Sequence, residues 1–230
     1  MSIALLFENK DYENLKWLYE HRCKQHGHRY LEHYTCYQRE CDKPERIGFF
    51  DIESGGSLTA DWGVLLSWAI KPLGSNDILG GTVQEREIID TTVRDKYLIK
   101  VLCAAMKQFD TLIVYYGKDL PYRHDFPFSR TRALTHNLTC FPQAGSLKVV
   151  DVYDIIKNKF KLTIRKQEAA CRQFNVPYGK HYATPNIWLS AIQGSQKALN
   201  YVWLHNCEDV RSLERLWKKV CGFSTTRNKI

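Results

Sequence analysis

Three separated groups of acidic residues have the types and spacing for metal-assisted phosphodiester chemistry. Asp51 and Glu53 lie in the run Ile47-Gly48-Phe49-Phe50-Asp51-Ile52-Glu53. Asp125 lies in His124-Asp125-Phe126-Pro127-Phe128. Asp209 follows His205 by one helical turn in His205-Asn206-Cys207-Glu208-Asp209-Val210. Phe49, Phe50 and Ile52 mark the first run as a buried strand. Carboxylates in such a strand are costly unless something compensates them. Hard divalent cations do so, because they take oxygen ligands. Two such ions about 3.5–4 Å apart can hold a phosphodiester, activate water and stabilise a departing oxygen.

Each group also has a plainer reading. Strand alternation turns Asp51 and Glu53 to one face. Such pairs are common on exposed strands, but the apolar neighbours here argue against exposure. Asp125 follows a predicted strand at 112–116. It suits a helix N-cap as well, with Pro127 in the first turn. The link from Gly117 to His124 is long and brings in Asp119 as a competing acid. His205 and Asp209 share a helix face and read equally as a solvated i,i+4 pair. Glu208, roughly 100° round the helix, is expected to point elsewhere.

Taken in order, D-x-E, then D, then H-x3-D resembles the DEDD 3′-to-5′ exonucleases, which have an RNase H-like fold. The stretch Asp125-Phe126-Pro127-Phe128-Ser129-Arg130-Thr131-Arg132 resembles the second motif of a family of predicted RNase H-like exonucleases. There an Asp is followed by an apolar residue, Pro, Phe and an Arg-containing helix. His205-Asn206-x-x-Asp209-Val210 is similar to that family's last motif, and Asp151 to Leu162 resembles the segment between. The resemblance runs from about Ile47 to Leu216. It implies that Asp51, Glu53, Asp125 and Asp209 ligate two Mg²⁺ or Mn²⁺ ions. It also implies that His205 orients or deprotonates the attacking water, a task suited to an imidazole. The spacing departs from the pattern. The general base of these enzymes is usually written Tyr-x3-Asp or His-x4-Asp, and this chain has His with the Tyr-type spacing.

A second constellation precedes the first strand. Cys23, His26, His28, His33, Cys36 and Cys41 crowd into residues 23–41. Cys23 with His26 and His33 with Cys36 form two ligand pairs, each with two residues between, the spacing of a zinc site. His28 can replace His26, and Cys41 can replace Cys36. Gly27 permits the tight turn of a zinc knuckle. One structural Zn²⁺ would fold a segment short of apolar residues. A basic, His-rich surface loop is the alternative.

The elements that must position these groups follow from periodicity. A helix is expected around Leu15, Leu18 and Tyr19. Strands are expected at 47–53, at 62–71 as its antiparallel partner, at 82–89, at 112–116 and at 149–152, with 74–81 a loop. Helices are expected at 95–109 and 128–138, and mostly helical structure after Asp154. Strands first, then mixed strands and helices, fit an α/β fold: an RNase H-like mixed sheet flanked by helices. The expected organisation is an N-terminal helix and zinc-binding segment over 1–45, a nuclease domain over 46–222 and a tail over 223–230.

Composition bounds the rest. The chain has 230 residues, 44% hydrophobic and 25% charged, enough for one good core. A formal net charge of +8 favours a polyanionic partner, though weakly. Among the cations near the motifs, Arg130 and Arg132 are expected on phosphates and Tyr122 on a base, with Arg123, Arg165 and Lys166 further candidates. Tyr115, Tyr116 and Phe126 read mainly as core. No stretch approaches the ~20 apolar residues of a membrane span, and the run 3–7 is too short for a secretory signal. Eight dispersed cysteines then suggest reduced thiols and a cytoplasmic protein. The expected function is 3′-to-5′ hydrolysis of nucleic acid, DNA or RNA. The alternatives are an RNase H-like endonuclease, and a catalytically silent zinc-containing accessory protein that binds nucleic acid.

Overall fold

The computed structural model of this chain describes residues 9–23, 26–41, 45–120, 122–143, 145–179 and 184–224. The apolar run 3–7, Lys24 and the tail beyond 224 lie outside the described residues. The chain divides into two compact units, Met1–Glu45 and Arg46–Ile230.

In the smaller unit, α1 (Asn9–Glu20) leads into a Cys/His-bearing turn and then α2 (Tyr34–Glu40). Among the described residues its core is Leu18, Cys23, Tyr30 and Cys36, with Tyr37 and Cys41 packed beside them. The helix α2 falls where the sequence reads only as a basic polar stretch.

In the larger unit, β1 (Ile47–Gly55) and β2 (Val64–Pro72) pair antiparallel at the centre of the sheet. β3 (Leu79–Thr82) extends β2 antiparallel. β4 (Thr111–Val114) and β5 (Lys148–Asp151) continue from β1 in parallel. The order is β3-β2-β1-β4-β5. This is an α/β fold with a five-stranded mixed sheet flanked by helices. Between Glu53 and Ser54 the β1–β2 register shifts by one, leaving Leu66 unmatched on β2 as a bulge.

The expected strand at 82–89 is corrected. β3 ends at Thr82, and α3 (Glu85–Ile89) takes the remainder. The physical reason is a capping box: the Gln84 side chain bonds the Glu87 backbone, and the Glu87 side chain bonds back to Gln84 N–H. The start of β3 uses the end of the expected loop, where Gly80 and Gly81 pair with Ala69 and Trp68.

Helices cover both faces. They are α4 (Lys96–Met106), α5 (Asp125–Thr135), α6 (Val152–Lys159), α7 (Gln167–Gln173), α8 (Pro185–Ile192) and the long α9 (Gln196–Val220). Phe50, Ile52, Leu112 and Val114 pack with Ile99, Leu102 and Met106 of α4 and Phe126 of α5. Phe49, Ala69 and Ile113 pack with Ile155 and Ile156 of α6 and Val210 and Leu213 of α9. Alternation along β1 therefore sends Asp51 and Glu53 to the Phe49 face, toward α9. α9 is tied there by polar bonds. Ser67 Oγ donates to Asn206 Oδ1 at 3.1 Å. Nearer the helix end, Glu214 accepts from Gly74 N–H at 3.0 Å and pairs with buried Lys71. Among the described residues no helix is long and apolar enough to cross a membrane.

A buried ion pair locks the opposite face. Asp95, just before α4, accepts Leu65 N–H at 2.7 Å and the Arg132 guanidinium at 2.6–3.2 Å, and His136 Nε2 lies 2.6 Å from it. Burial alone would push the Asp95 carboxyl up, but bonds from His136 and Arg132 hold it below its ordinary value. Arg132 also donates to Ala60 O at 3.1 Å. Removing one partner of such a pair strands a buried charge. Arg132→Met is expected to destabilise the protein by about 3–5 kcal/mol, measured by urea unfolding, whereas Arg130→Met at the surface should change it little.

Candidate functional site

β1, the first turn of α5 and the middle of α9 bring the acids together, α5 packing on one face of the sheet and α9 on the other. Asp51 and Glu53 stand opposite Ala69 and Ser67 of β2. His205 lies between two acids: its Nε2 is 3.6 Å from Glu53 Oε1 and 3.5 Å from Asp209 Oδ2. Ligand atoms of Glu53, His205 and Asp209 all lie within 4.8 Å of one another. Asp51 and Asp125 are not within that reach of all three, yet they share the same field.

The electrostatics show this directly. Burial pushes the Asp51 carboxyl well above its ordinary value, and Asp125, Glu53 and Asp209 push it further. Burial does the same to Glu53, with Asp209 and Asp125 adding. Asp125 is raised by burial, then by Asp151 and Asp209. Burial also raises Asp209, although His205 and the Tyr178 hydroxyl pull it down. Crowded anions resist ionisation unless positive charge joins them. Asp125 Oδ2 is buried and accepts no hydrogen bond among the described residues. It is therefore not spent on capping α5, whose N-cap is His124.

Two residues outside the acidic pattern hold the acids in place. Asn206 Nδ2 donates to Asp51 Oδ2 at 2.6 Å, so one amide bridges β2, α9 and β1. Tyr178 Oη donates to Asp209 Oδ1 at 2.8 Å. Asn206 sits inside the last motif and was open to reading there; nothing in the spacing around Tyr178 signals its role. Gly117 matters by what it lacks. A Cβ there would collide with the Asp125 carboxylate, so only glycine lets this loop approach so closely.

Other sequence expectations fare differently. Arg132 is corrected: its guanidinium is buried on Asp95 and is not available to a phosphate. Arg123, likewise, is buried against Asp151 and Asp154. Arg130 pairs at the surface with Asp119, the competing acid. Tyr122 is exposed, with Arg123 Cζ 5.3 Å from its ring centroid. Phe126 is core, but Tyr116 is not: it is 40% exposed. Glu208 pairs with Arg211 and abuts Gly179, and its charge adds to the upward push on Asp209.

In the smaller unit the Cys/His residues converge. Cys36 Sγ lies 3.1 Å from His33 Nδ1 and 3.3 Å from His26 Nδ1, and Cys23 Sγ lies 3.9 Å from His26 Nδ1. Bonds of about 2.0–2.3 Å to a tetrahedral ion would set such sulfur–nitrogen edges near ~3.6 Å. His28 belongs to the same group, 3.5 Å from His33. Gly27 turns the chain with φ +70°. Burial raises the Cys23 thiol, but N–H groups of His26 and His28 and the Cys36 side chain bring it below its ordinary value, which favours the ligating thiolate. Cys41 packs against the core of this unit and lies outside the metal-holding groups found among the described residues. Both clusters can hold a metal ion.

The raised carboxyls carry a stability signature. Between the ordinary carboxylate range and their raised values, the folded protein binds more protons than the unfolded chain. Without cations, stability therefore falls as pH rises through that window. In EDTA, Asp51→Asn is expected to raise the melting temperature by about 2–4 °C, the shift that roughly 1 kcal/mol produces at this size. The gain should shrink as pH falls, and added Mg²⁺ should stabilise the parent more than the variant. Identical melting of the two at every pH would contradict the repulsion.

The sequence matches no protein-family model and no curated protein, so the geometry of the two clusters carries the functional reading.

Proposed function

We propose that the chain is a metal-dependent nuclease of RNase H-like architecture that hydrolyses phosphodiester bonds at the 3′ end of nucleic acid. The observation that carries this reading is the convergence of four carboxylates from β1, α5 and α9, each raised by burial and most by one another. The sheet supports it: an antiparallel half, β3-β2-β1, continued in parallel by β4 and β5. Asp51, Glu53, Asp125 and Asp209 would hold two Mg²⁺ or Mn²⁺ ions. Bound there, the ions would supply Lewis acidity and a water of lowered pKa.

The chain's own groups do the rest. His205 turns Nε2 to the acids, where it can accept a proton from the attacking water. Tyr178 and Asn206 hold Asp209 and Asp51 in fixed rotamers, which limits the reorganisation needed for reaction. In the smaller unit, Cys23, His26, His33 and Cys36 would hold one structural Zn²⁺, with His28 the alternative to His26. Reduced thiols are needed for that site, which suits a cytoplasmic setting.

Cleavage of an end-labelled oligonucleotide in Mg²⁺ tests the catalytic reading. Asp51→Asn and Asp209→Asn should each abolish shortening from the 3′ end while the fold is kept. His205→Ala should lower turnover on the order of 10²–10⁴-fold with less effect on metal affinity. Undiminished cleavage by both Asn variants would overturn the assignment.

Elemental analysis tests the zinc. Protein purified without added metal should carry about one zinc per chain, and Cys23→Ser with Cys36→Ser should lose it. Absence of zinc, with the double variant as stable as the parent, would leave an ordinary Cys/His turn.

A further inference from the structure

A cleft of about 650 Å³ opens in the larger unit, lined by Tyr116, Tyr153, Ile164, Arg165, Lys166 and Gln167 among others. Two of its walls are tethered to the acidic centre. Gln167 Nε2 donates to the backbone carbonyl of Asp209 at 2.9 Å. Tyr116 immediately precedes Gly117, the residue that abuts the Asp125 carboxylate. The cleft's walls are thus joined to the elements that carry Asp209 and Asp125.

The lining combines aromatic, apolar and cationic side chains. Tyr116 is 40% and Ile164 60% exposed, and Arg165 and Lys166 stand exposed beside them. Tyr116 adopts φ +63°, a conformation that a bulky residue takes only where its surroundings enforce it. Asp151 enforces it here, accepting Tyr116 N–H at 2.9 Å and Lys118 N–H at 3.1 Å. The ring is fixed as well. Arg123 Cζ sits 4.3 Å from its centroid, and Tyr153 meets it edge-on at 4.9 Å. Arg123 is in turn held by Asp154 at 2.6 Å. The ring is thus ordered before any ligand arrives, so stacking on it demands little further ordering.

A fixed aromatic platform, an apolar neighbour and two cations at the rim match one ligand chemistry: a planar base joined to a phosphate. The acids next door would repel a polyanion, and the rim cations offset that repulsion. Resting on the nuclease reading, we propose that this cleft holds an unpaired nucleotide of the strand being cut. Its base stacks on Tyr116, and its phosphate faces Arg165 and Lys166. The substrate class is therefore single-stranded nucleic acid, since a base within a duplex cannot leave its stack without an energetic penalty.

Fluorescence anisotropy on the full chain decides this. The cleavage-deficient Asp51→Asn protein in Mg²⁺ is titrated against short labelled single strands of DNA and of RNA, and against a blunt duplex. Single strands should bind about tenfold tighter than the duplex, and the stronger single-strand arm assigns the sugar. Tyr116→Ala should weaken single-strand binding about tenfold, within the range that base–aromatic stacking contributes, and Tyr116→Phe should restore it. Lys166→Ala, at an exposed position, should weaken it several-fold and serves as the deciding variant if Tyr116→Ala alters the melting temperature. In the otherwise unaltered chain the same substitutions should raise KM and leave kcat nearly unchanged. Parental affinity in Tyr116→Ala and Lys166→Ala, or a duplex bound as tightly as a single strand, overturns the subsite. The two readings separate cleanly. A chain that cuts, with variants that bind as the parent does, loses the subsite and keeps the nuclease. A chain that binds single strands through Tyr116 but never cuts loses the nuclease and keeps the subsite.

Discussion

Carboxylates held side by side away from water repel, and a fold that assembles four of them must oppose that repulsion with bonds made elsewhere. In this protein the opposition is concentrated in α9. Asn206 bonds Asp51 on one side and Ser67 on the other, so the helix cannot drift from the sheet without breaking both. Further along, Glu214 grips Lys71 and the turn at Gly74. Apolar packing of Val210 and Leu213 on Phe49 and Ala69 closes the same interface. The acidic centre is thus a strained spot supported by an over-determined frame, the arrangement expected where stability is exchanged for function.

The two clusters of metal-capable residues differ in kind. The Cys/His group has soft ligands, and Cys23 and Cys36 also belong to the small apolar cluster found among the described residues of that unit, so a metal there would bear on folding. The acidic group has hard oxygen ligands in a unit with an extensive core of its own, so a metal there would not be what builds that core. The thiolate-favouring hydrogen bonds at Cys23 and the upward-shifted carboxyls at Asp51 and Glu53 express the same difference in opposite directions.

Much of the frame was legible because it depends on local patterning. The apolar run around Asp51 marked a strand, alternation gave its two faces, and helical spacing put His205 and Asp209 on one turn. What escaped depends on partners distant in the chain. Arg132 looks like a phosphate ligand because charge type is all that a sequence displays; Asp95, 37 residues earlier, removes it from solvent. Tyr116 looks like core because it follows a buried strand, yet a carboxylate from β5 turns it outward. The strand expected at 82–89 failed for a local reason: the reciprocal bonds of Gln84 and Glu87 start a helix there. Tyr178 reaches Asp209 from a separate segment and left no trace in the spacing.

The bulge at Leu66 bears on how this protein can change over time. Upstream of it, β1 alternates strictly, and its register with β2 and β4 decides which face carries Asp51 and Glu53. Losing or gaining one residue between Ile47 and Asp51 would reverse that alternation and turn the acids away from α9. Beyond Glu53 the pairing is already offset, and the connection from Gly56 to Gly63 crosses to β2 without carrying any of the acids. Insertions and deletions in descendants of this chain should therefore gather on the far side of the bulge. The few residues before it should hold their number even where their identities drift.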